Sequence, residues 1–425
     1  MGIICRIALL WAFAGSMLLG CARSPLKDSG KLFRPTQMPQ VFLDNLEMAP
    51  LIEGLETQVK VLSLGSGPIQ FGSYQVDRAA YVDGLKGLIQ AYQKSGLSGF
   101  HEAVQQNFMA MEPYGQRDWG DVFITSYYDG LFQARSKPRG DLFQPIYGRP
   151  KDLVQVELDE FRRLKSKASD EEDRHFNWMN EFNYQKLGRK FIGRLAPSVG
   201  EGLPRVIPYF DRQAIDSEQV LKGRKLELAY MDPMDAFFMQ IQGSAILEFP
   251  GGKRKRFGYD SQNGHSYHAI GRELLDVIPI EKMSLQSIKA HLKTLPPEKM
   301  QEVLNTNPSY VFFRELKGRS LTSNGTETIP GRTIATDRRL FAKGTLAYMI
   351  FERPYFDSES SLEPESTGVT SRFVIDQDTG GAIRGPGRVD LYWGEGADAE
   401  RHAGHMKSRG RLIYLIPKGA LPEAK

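Results

Sequence analysis

Two stretches near the C-terminal end combine carboxylates with a strand-like rhythm. From Phe373 to Asp378 the side chains alternate, with Phe373, Ile375 and Gln377 on one side and Val374, Asp376 and Asp378 on the other. Thr379-Gly380-Gly381 breaks that run, and Arg388 to Trp393 alternates again: Val389, Leu391 and Trp393 on one face, Asp390 and Tyr392 on the other. Two adjacent strands joined by a Gly/Pro loop therefore bring Asp378 and Asp390 near one another on apolar backing. A desolvated carboxylate has a raised pKa, which suits a general acid, although aspartates that cap turns give the same pattern. The triplet Asp378-Thr379-Gly380 also matches that of aspartic proteases, whose mechanism needs two such aspartates. The sequence has no second triplet in a strand context (Asp28-Ser29-Gly30 falls in a tether), so the protease reading is disfavoured.

Other chemistries find less support. Of the seven histidines, His402 and His405 have the i, i+3 spacing of a metal pair, but neither a third ligand nor a nearby cysteine joins them. No metal is expected, and no cofactor either: the Gly-rich pieces lack the Lys-Ser/Thr helix start of a phosphate loop. The net charge of +4 and the absence of a long Lys/Arg run argue against nucleic-acid binding.

The surrounding elements read as mainly β with some α. Asp77 to Met109 has helical spacing, with Ala80, Leu85, Leu88, Ile89 and Tyr92 three or four residues apart. After Pro113 short apolar runs are broken by Gly and Pro, as in DVFITSYYDG, RVIPYF and SAILEFPGG. A charged segment over 153–194 reads as a solvated helix or a surface excursion, residues 284–303 as helix interrupted at Pro296-Pro297, and the last hundred residues as strands. At the other end, Ile7 to Leu19 is an apolar run behind Arg6, too short to span a bilayer and suited to a signal-peptide core. Leu18-Leu19-Gly20-Cys21 resembles a lipobox. Cys5 would be removed with the signal, leaving Cys21 without a disulfide partner and free to carry lipid; Ala22 rather than Asp after it suggests the outer membrane.

The segments TDRRLFAKGTLAYMIF, VIDQDTGGAIRGPGRVDLYWGEG and HAGHMKSRGRLIYLIPK resemble the three-aspartate (3D) domain of the membrane-bound lytic murein transglycosylase A family, with the three aspartates at Asp337, Asp378 and Asp390. Upstream, ITSYYDG, QPIYGRPKDL, PYFDRQAI, LELAYMDPMDAFFMQIQGS, YDSQNGHSYHAIGREL and NPSYVFFRE match in order, so the resemblance covers roughly 115–418. Departures are Asp129 in place of the family's Glu, Ala245 in the QGSG stretch, and YDSQNG for YAGQNG.

The resemblance implies a double-psi β-barrel domain with a smaller inserted β-barrel-like domain and a groove between them. The expected division is a signal peptide over 1–20, lipidated Cys21 and a tether over 21–45, the first barrel part with N-terminal helices over 46–146, the insert over 147–317, and a 3D segment over 318–425 completing the barrel. It also implies cleavage of the β-1,4 bond between N-acetylmuramic acid and N-acetylglucosamine without water, closing a 1,6-anhydro ring. One aspartate, Asp390, would act as acid and then as base, with Asp378 supporting it and Asp337 structural. Sugar contacts are expected from Tyr127, Tyr128, Gln242, Ser244, Asn263 and Tyr267, and Arg272 is a candidate partner for a lactyl or stem-peptide carboxylate. These roles require Asp390 to face a glycan-sized cleft, free of any salt bridge. The implied partners are glycan strands and, through the lipid on Cys21, the periplasmic side of the outer membrane. The alternatives are a non-catalytic peptidoglycan-binding lipoprotein and a hydrolase leaving reducing ends.

Overall fold

The computed structural model describes residues 32–72, 74–158, 190–196, 202–359, 361, 363–381 and 383–421. The expected signal peptide, Cys21, the first part of the tether and residues 159–189 of the charged segment lie outside the described residues. In chain order the strands are β1 (Phe33–Thr36), β2 (Ile69–Phe71), β3 (Tyr74–Val76), β4 (Phe108–Pro113), β5 (Asp121–Gln133), β6 (Gln144–Tyr147), β7 (Leu153–Glu157), β8 (Lys190–Ala196) and β9 (Arg205–Pro208). They continue as β10 (Glu227–Met231), β11 (Ser244–Phe249), β12 (Lys253–Gln262), β13 (Val311–Leu316), β14 (Thr333–Ala335), β15 (Thr345–Tyr355), β16 (Ser366–Asp378), β17 (Arg388–Glu395) and β18 (Ser408–Pro417). The α-helices are α1 (Ala49–Ser63), α2 (Arg78–Asn107), α3 (Pro233–Gln242), α4 (Leu285–Leu292), α5 (Pro297–Asn305) and α6 (Gly396–His405).

Strands β18, β15, β16, β14, β17 and β5 follow one another edge to edge, and β18 pairs back onto β5, so the six close into a barrel. Pairing is mixed: β14 runs parallel to β16 and β17 parallel to β5, while the remaining barrel contacts are antiparallel. Closure removes the unpaired edges that would otherwise invite association. The barrel's apolar residues, among them Leu346, Phe373, Ile375, Val389, Leu391 and Leu412, join one buried core with residues of α1 and α2. Helix α2 starts at Asp77, whose carboxylate accepts from the Ala80 backbone N–H at 2.7 Å, and presents Tyr81, Leu85, Leu88 and Val104 to that core. It bends at Ser95 and Gly96, where the backbone leaves helical geometry.

A second β body is built around the continuation of β5. Thr125 to Tyr127 are in register with β17, whereas Gly130 to Gln133 pair with β11, which leads through β12 to β13. Its core gathers Phe132, Met231, Met239, Leu247, Phe257 and Phe313. Helix α3 packs on it, started by Asp232 and Pro233 and stopped by Gly243 in the left-handed region. The mainly-β reading with a barrel and a smaller second β body is what the structure has.

Two local expectations are corrected. Residues 33–36 are not tether but strand β1, which pairs antiparallel with β4 and buries Phe33 to 2% exposure. An aromatic ring there contributes more in the core than a linker gains from flexibility. The 153–194 segment begins and ends as strands β7 and β8, paired from Leu153↔Arg194 to Glu157↔Lys190. Charge obscured an alternation that is only weakly apolar.

Candidate functional site

Strand β14 is short, and both aspartates are set by it. Ala335 stands opposite Asp390 on β17 and opposite Asp378 on β16, so the two carboxylates flank one residue, level with it on either side. The entry to β17 is tight. A Cβ on Gly387 would stand 2.6 Å from the backbone nitrogen of Gln116, and its carbonyl accepts from Phe123 N–H at 2.8 Å. Asp337 holds the preceding loop. It accepts from Gly385 N–H at 2.9 Å and pairs with Arg339 at 2.5 Å, and these contacts together outweigh its burial and keep its carboxyl below the usual range.

Asp390 accepts from Thr125 Oγ1 at 2.5 Å and is ion-paired with Arg388 Nε at 2.7 Å; Arg388 Nη2 also reaches Thr125 Oγ1 at 2.7 Å. The Asp390 side chain keeps 16% of its surface in solvent, so it is not sealed away. The expected freedom from a salt bridge is overturned. Arg388 lies two residues earlier on the same strand, and strand period places both on one face. Both members of the pair keep some solvent contact, 28% for Arg388 and 16% for Asp390.

Asp378 has a different setting. Its carboxylate accepts from Tyr127 OH at 2.7 Å, Ser323 N–H at 2.9 Å and Thr379 N–H at 2.8 Å. Burial pushes its carboxyl above the ordinary value, against the pull of these hydrogen bonds and of Lys343. Tyr127 is pushed well above the usual tyrosine value, by burial first and by Asp378 next. The Tyr127 ring packs at 5.2 Å on Tyr392, whose hydroxyl donates to Asp129 at 3.0 Å.

Of the expected sugar-contacting residues, the structure brings some to Asp390 and spends others on the framework. Tyr267 is 39% exposed and lies within the electrostatic reach of Arg388 and Asp390 from the barrel and of Arg212 and Arg272 from the second body. Arg272 is exposed on the 3-10 turn Ile270–Leu274. Tyr127 reaches Asp378. The assignments of Tyr128, Ser244 and Asn263 as sugar contacts are corrected by their burial, whereas Gln242 is only half-buried. Tyr128 is fully buried against Ala399 and Ala403, and its backbone N–H donates to Gln242 Oε1 at 3.1 Å. Ser244 donates to buried Asp129. Asn263 donates to the carbonyls of Phe210 and Pro308, both at 2.9 Å, and accepts from Tyr310 N–H at 2.9 Å, so its amide is saturated. Amides and hydroxyls are chosen equally for sugars and for buried backbone, and composition does not separate the two uses.

The sequence reading missed Thr125 and Arg388 beside Asp390, and Arg256 and Ser320 beside Asp129. The signal for the first two was present: Thr125 precedes Tyr127 by two residues, and Arg388 precedes Asp390 by two. Among the described residues no cluster of three or more His, Cys, Asp or Glu side chains is arranged to hold a metal ion. His402 stacks on Trp393 at 5.0 Å. A cavity of about 500 Å³ lies at the far end of β17 between Arg256, Arg319, Pro330, Trp393 and Glu395, away from Asp390.

Fold and site together define a two-body, mainly β protein with a closed six-stranded barrel and a carboxylate pair level with one short barrel strand. Residues 123–314 match the profile described as the MltA specific insert domain, and residues 332–416 match the 3D domain. The chain is 28% identical to membrane-bound lytic murein transglycosylase A of Escherichia coli strain K12 over 311 residues, 72% of this chain and 68% of that protein. It is 32% identical to the Vibrio cholerae protein of the same name over 219 residues, 50% of this chain and 58% of that protein. Among solved structures, the membrane-bound lytic murein transglycosylase from Agrobacterium tumefaciens superposes with TM-score 0.67 at 26% identity, covering 88% of this chain and 94% of that one. MltA from Neisseria gonorrhoeae gives TM-score 0.61 at 25% identity, covering 93% and 94%. The chain belongs to the membrane-bound lytic murein transglycosylase A family.

Proposed function

We propose that this protein is a peptidoglycan lytic transglycosylase, cleaving the β-1,4 bond between N-acetylmuramic acid and N-acetylglucosamine with Asp390 as the single acid and base. The observation that carries the reading is a partly solvated carboxylate at the family's 3D position, on the outward-facing side of β17 and held by Thr125 and Arg388. Protonated Asp390 gives its proton to the glycosidic oxygen as the C1–O bond breaks. The resulting carboxylate then takes the proton of the muramoyl C6 hydroxyl as that oxygen bonds to C1, which closes the 1,6-anhydro ring and restores the acid. Because the nucleophile is part of the substrate, it is present at high effective concentration, and no second carboxylate has to activate water. Arg388 leaves Asp390 when the glycan enters. Asp378, tied to Tyr127, supports the carboxylate environment, and Asp337 fixes the loop that leads into β17. Tyr127 and Tyr267 offer rings to the sugars, and Arg272 a guanidinium to a lactyl or stem-peptide carboxylate.

The two bodies are proposed to be the units read from the sequence, an insert over 147–317 within a barrel formed by 46–146 and 318–425, with β5 running through both. The "membrane-bound" name of the relatives supports membrane association. The finer proposal is anchoring through lipidated Cys21 on the periplasmic face of the outer membrane.

Digestion of purified sacculi and mass analysis of the released muropeptides tests the activity. Anhydro products, lighter by one water than hydrolytic ones, are expected from the wild-type chain. Asp390→Asn is expected to abolish release while sacculus binding persists. Turnover by that variant at the wild-type rate sinks the assignment, and reducing-end products favour the hydrolase.

A further inference from the structure

On the other side of β17 from Asp390, Trp393 anchors two arginines and a histidine that the reaction at Asp390 does not use. His402 stacks on its ring at 5.0 Å, and the guanidiniums of Arg353 and Arg372 lie 5.3 and 5.8 Å from the ring centre. Arg353 also covers Tyr355 at 4.8 Å, and Arg372 covers Phe351 at 5.1 Å. Arg372 is 2% exposed, yet its Nε and Nη2 have no hydrogen-bond partner among the described residues, and its Nη1 makes only a 3.4 Å contact with the Gly331 carbonyl. Arg353 Nε and His402 Nδ1 are buried and unpartnered beside it. Of the neighbouring carboxylates, Asp44 pairs with Arg332, and Asp398 pairs with Arg401 and stands 3.8 Å from His402 Nε2. Among the described residues neither Arg353 nor Arg372 forms an ion pair, although Asp44 lies within electrostatic reach of Arg372. Burial and the nearness of Arg353 pull Arg372 down to about 10, the mark of a cation short of countercharge.

Arg353, but not Arg372, lines a cavity of about 300 Å³ together with Tyr355, Phe356, Arg401 and His402, with Asp357 and Glu359 also on its wall. A planar fork over aromatic rings matches a carboxylate, and the wall carboxylates would repel a dianion such as phosphate. We propose that this cavity binds a small monocarboxylate carried on an apolar stem, gripped by Arg353 with Arg372 behind it and with the stem against Tyr355 and Phe356. The site is distinct from the glycan-cleaving one and stands whether or not Asp390 acts as proposed.

Thermal denaturation of the full chain at constant ionic strength, with N-acetylalanine, inorganic phosphate or sodium chloride as titrant, tests the proposal. A ligand that binds only the folded state raises the midpoint saturably. N-acetylalanine is expected to do so above the salt control, with phosphate weaker. Arg353→Gln, at a partly exposed position, is expected to weaken that response at least tenfold while release of muropeptides is unchanged. Arg353→Lys, which keeps the charge but not the fork, should fall between. No response beyond sodium chloride, an undiminished response in Arg353→Gln, or tighter binding of phosphate overturns the proposal.

Discussion

The two aspartates that flank Ala335 have opposite local physics. Asp390 is partly solvated, with an arginine beside it. Asp378 is enclosed, and its three donors all favour the ionised form. Removing one of them should be felt in the chemistry before it is felt in the fold. Tyr127→Phe takes away the 2.7 Å hydrogen bond but keeps the ring against Tyr392. A hydrogen bond to a charged group contributes about 1.5–3 kcal/mol, so a fall in turnover of about tenfold to a hundredfold is expected, with sacculus binding retained. The direction of the pH effect follows from the causes. Burial already raises Asp378 and Tyr127 holds it partly back, so in the variant its proton stays on to higher pH. If Asp378 works as a carboxylate, the acid-side limb of the pH–rate profile moves upward. A limb that stays in place while turnover falls would separate Tyr127's role from Asp378.

At the scale of elements, Asp129 is where strands are tied together. Its buried carboxylate accepts from Ser244 on β11, from Ser320 Oγ at 2.6 Å, from Tyr392 on β17 at 3.0 Å and from Arg256 on β12 at 2.6 Å. Burial raises its carboxyl and these partners pull the other way. Asp129→Ala would take one of two carboxylates from Arg256, which keeps Glu395 at 2.9 Å, and would remove a shared acceptor from three hydroxyls. Breaking a buried pair by removing one partner costs about 3–5 kcal/mol, which a shift of the urea midpoint of that order would register; a loss below 1 kcal/mol would mean that water takes the carboxylate's place. Much of the element pattern was legible. The period of 80–92 gave helix α2, the alternation at 373–378 and 388–393 gave β16 and β17, and Pro296-Pro297 marked the break between α4 and α5. The carboxylates were legible as well, because strand period alone puts them on defined faces. What was not legible is which polar side chains are spent inside. Asn263 and Ser244 have sugar-binding chemistry, and only the tertiary fold shows that backbone groups and Asp129 already occupy it. The salt bridge at Asp390 was missed for a different reason: Arg388 was in plain view two residues away, and the period that paired it with Asp390 was applied to the carboxylate alone.

For the whole molecule, the decisive feature is that one strand serves both bodies. Strand β5 closes the barrel through Thr125–Tyr127 against β17, and a few residues later its Gly130–Gln133 run forms the parallel edge for β11. Melting either body would strip one flank of a strand on which the other depends, leaving unpaired backbone groups at a cost neither can bear alone. The knot at Asp129 lies at the crossing and adds a second tie. Independent domains joined by a flexible linker usually melt in separate steps. Here a single calorimetric transition is expected, with the van't Hoff enthalpy close to the calorimetric one. Asp129→Ala, which loosens the crossing without cutting β5, should broaden that transition but not divide it. Two resolved peaks in the wild-type chain would show that the shared strand does not couple the bodies. In that case the setting of Asp390 against Tyr267 and Arg272 would depend on the other contacts between the bodies alone, and substrate binding would have to supply the rigidity that the strand otherwise provides.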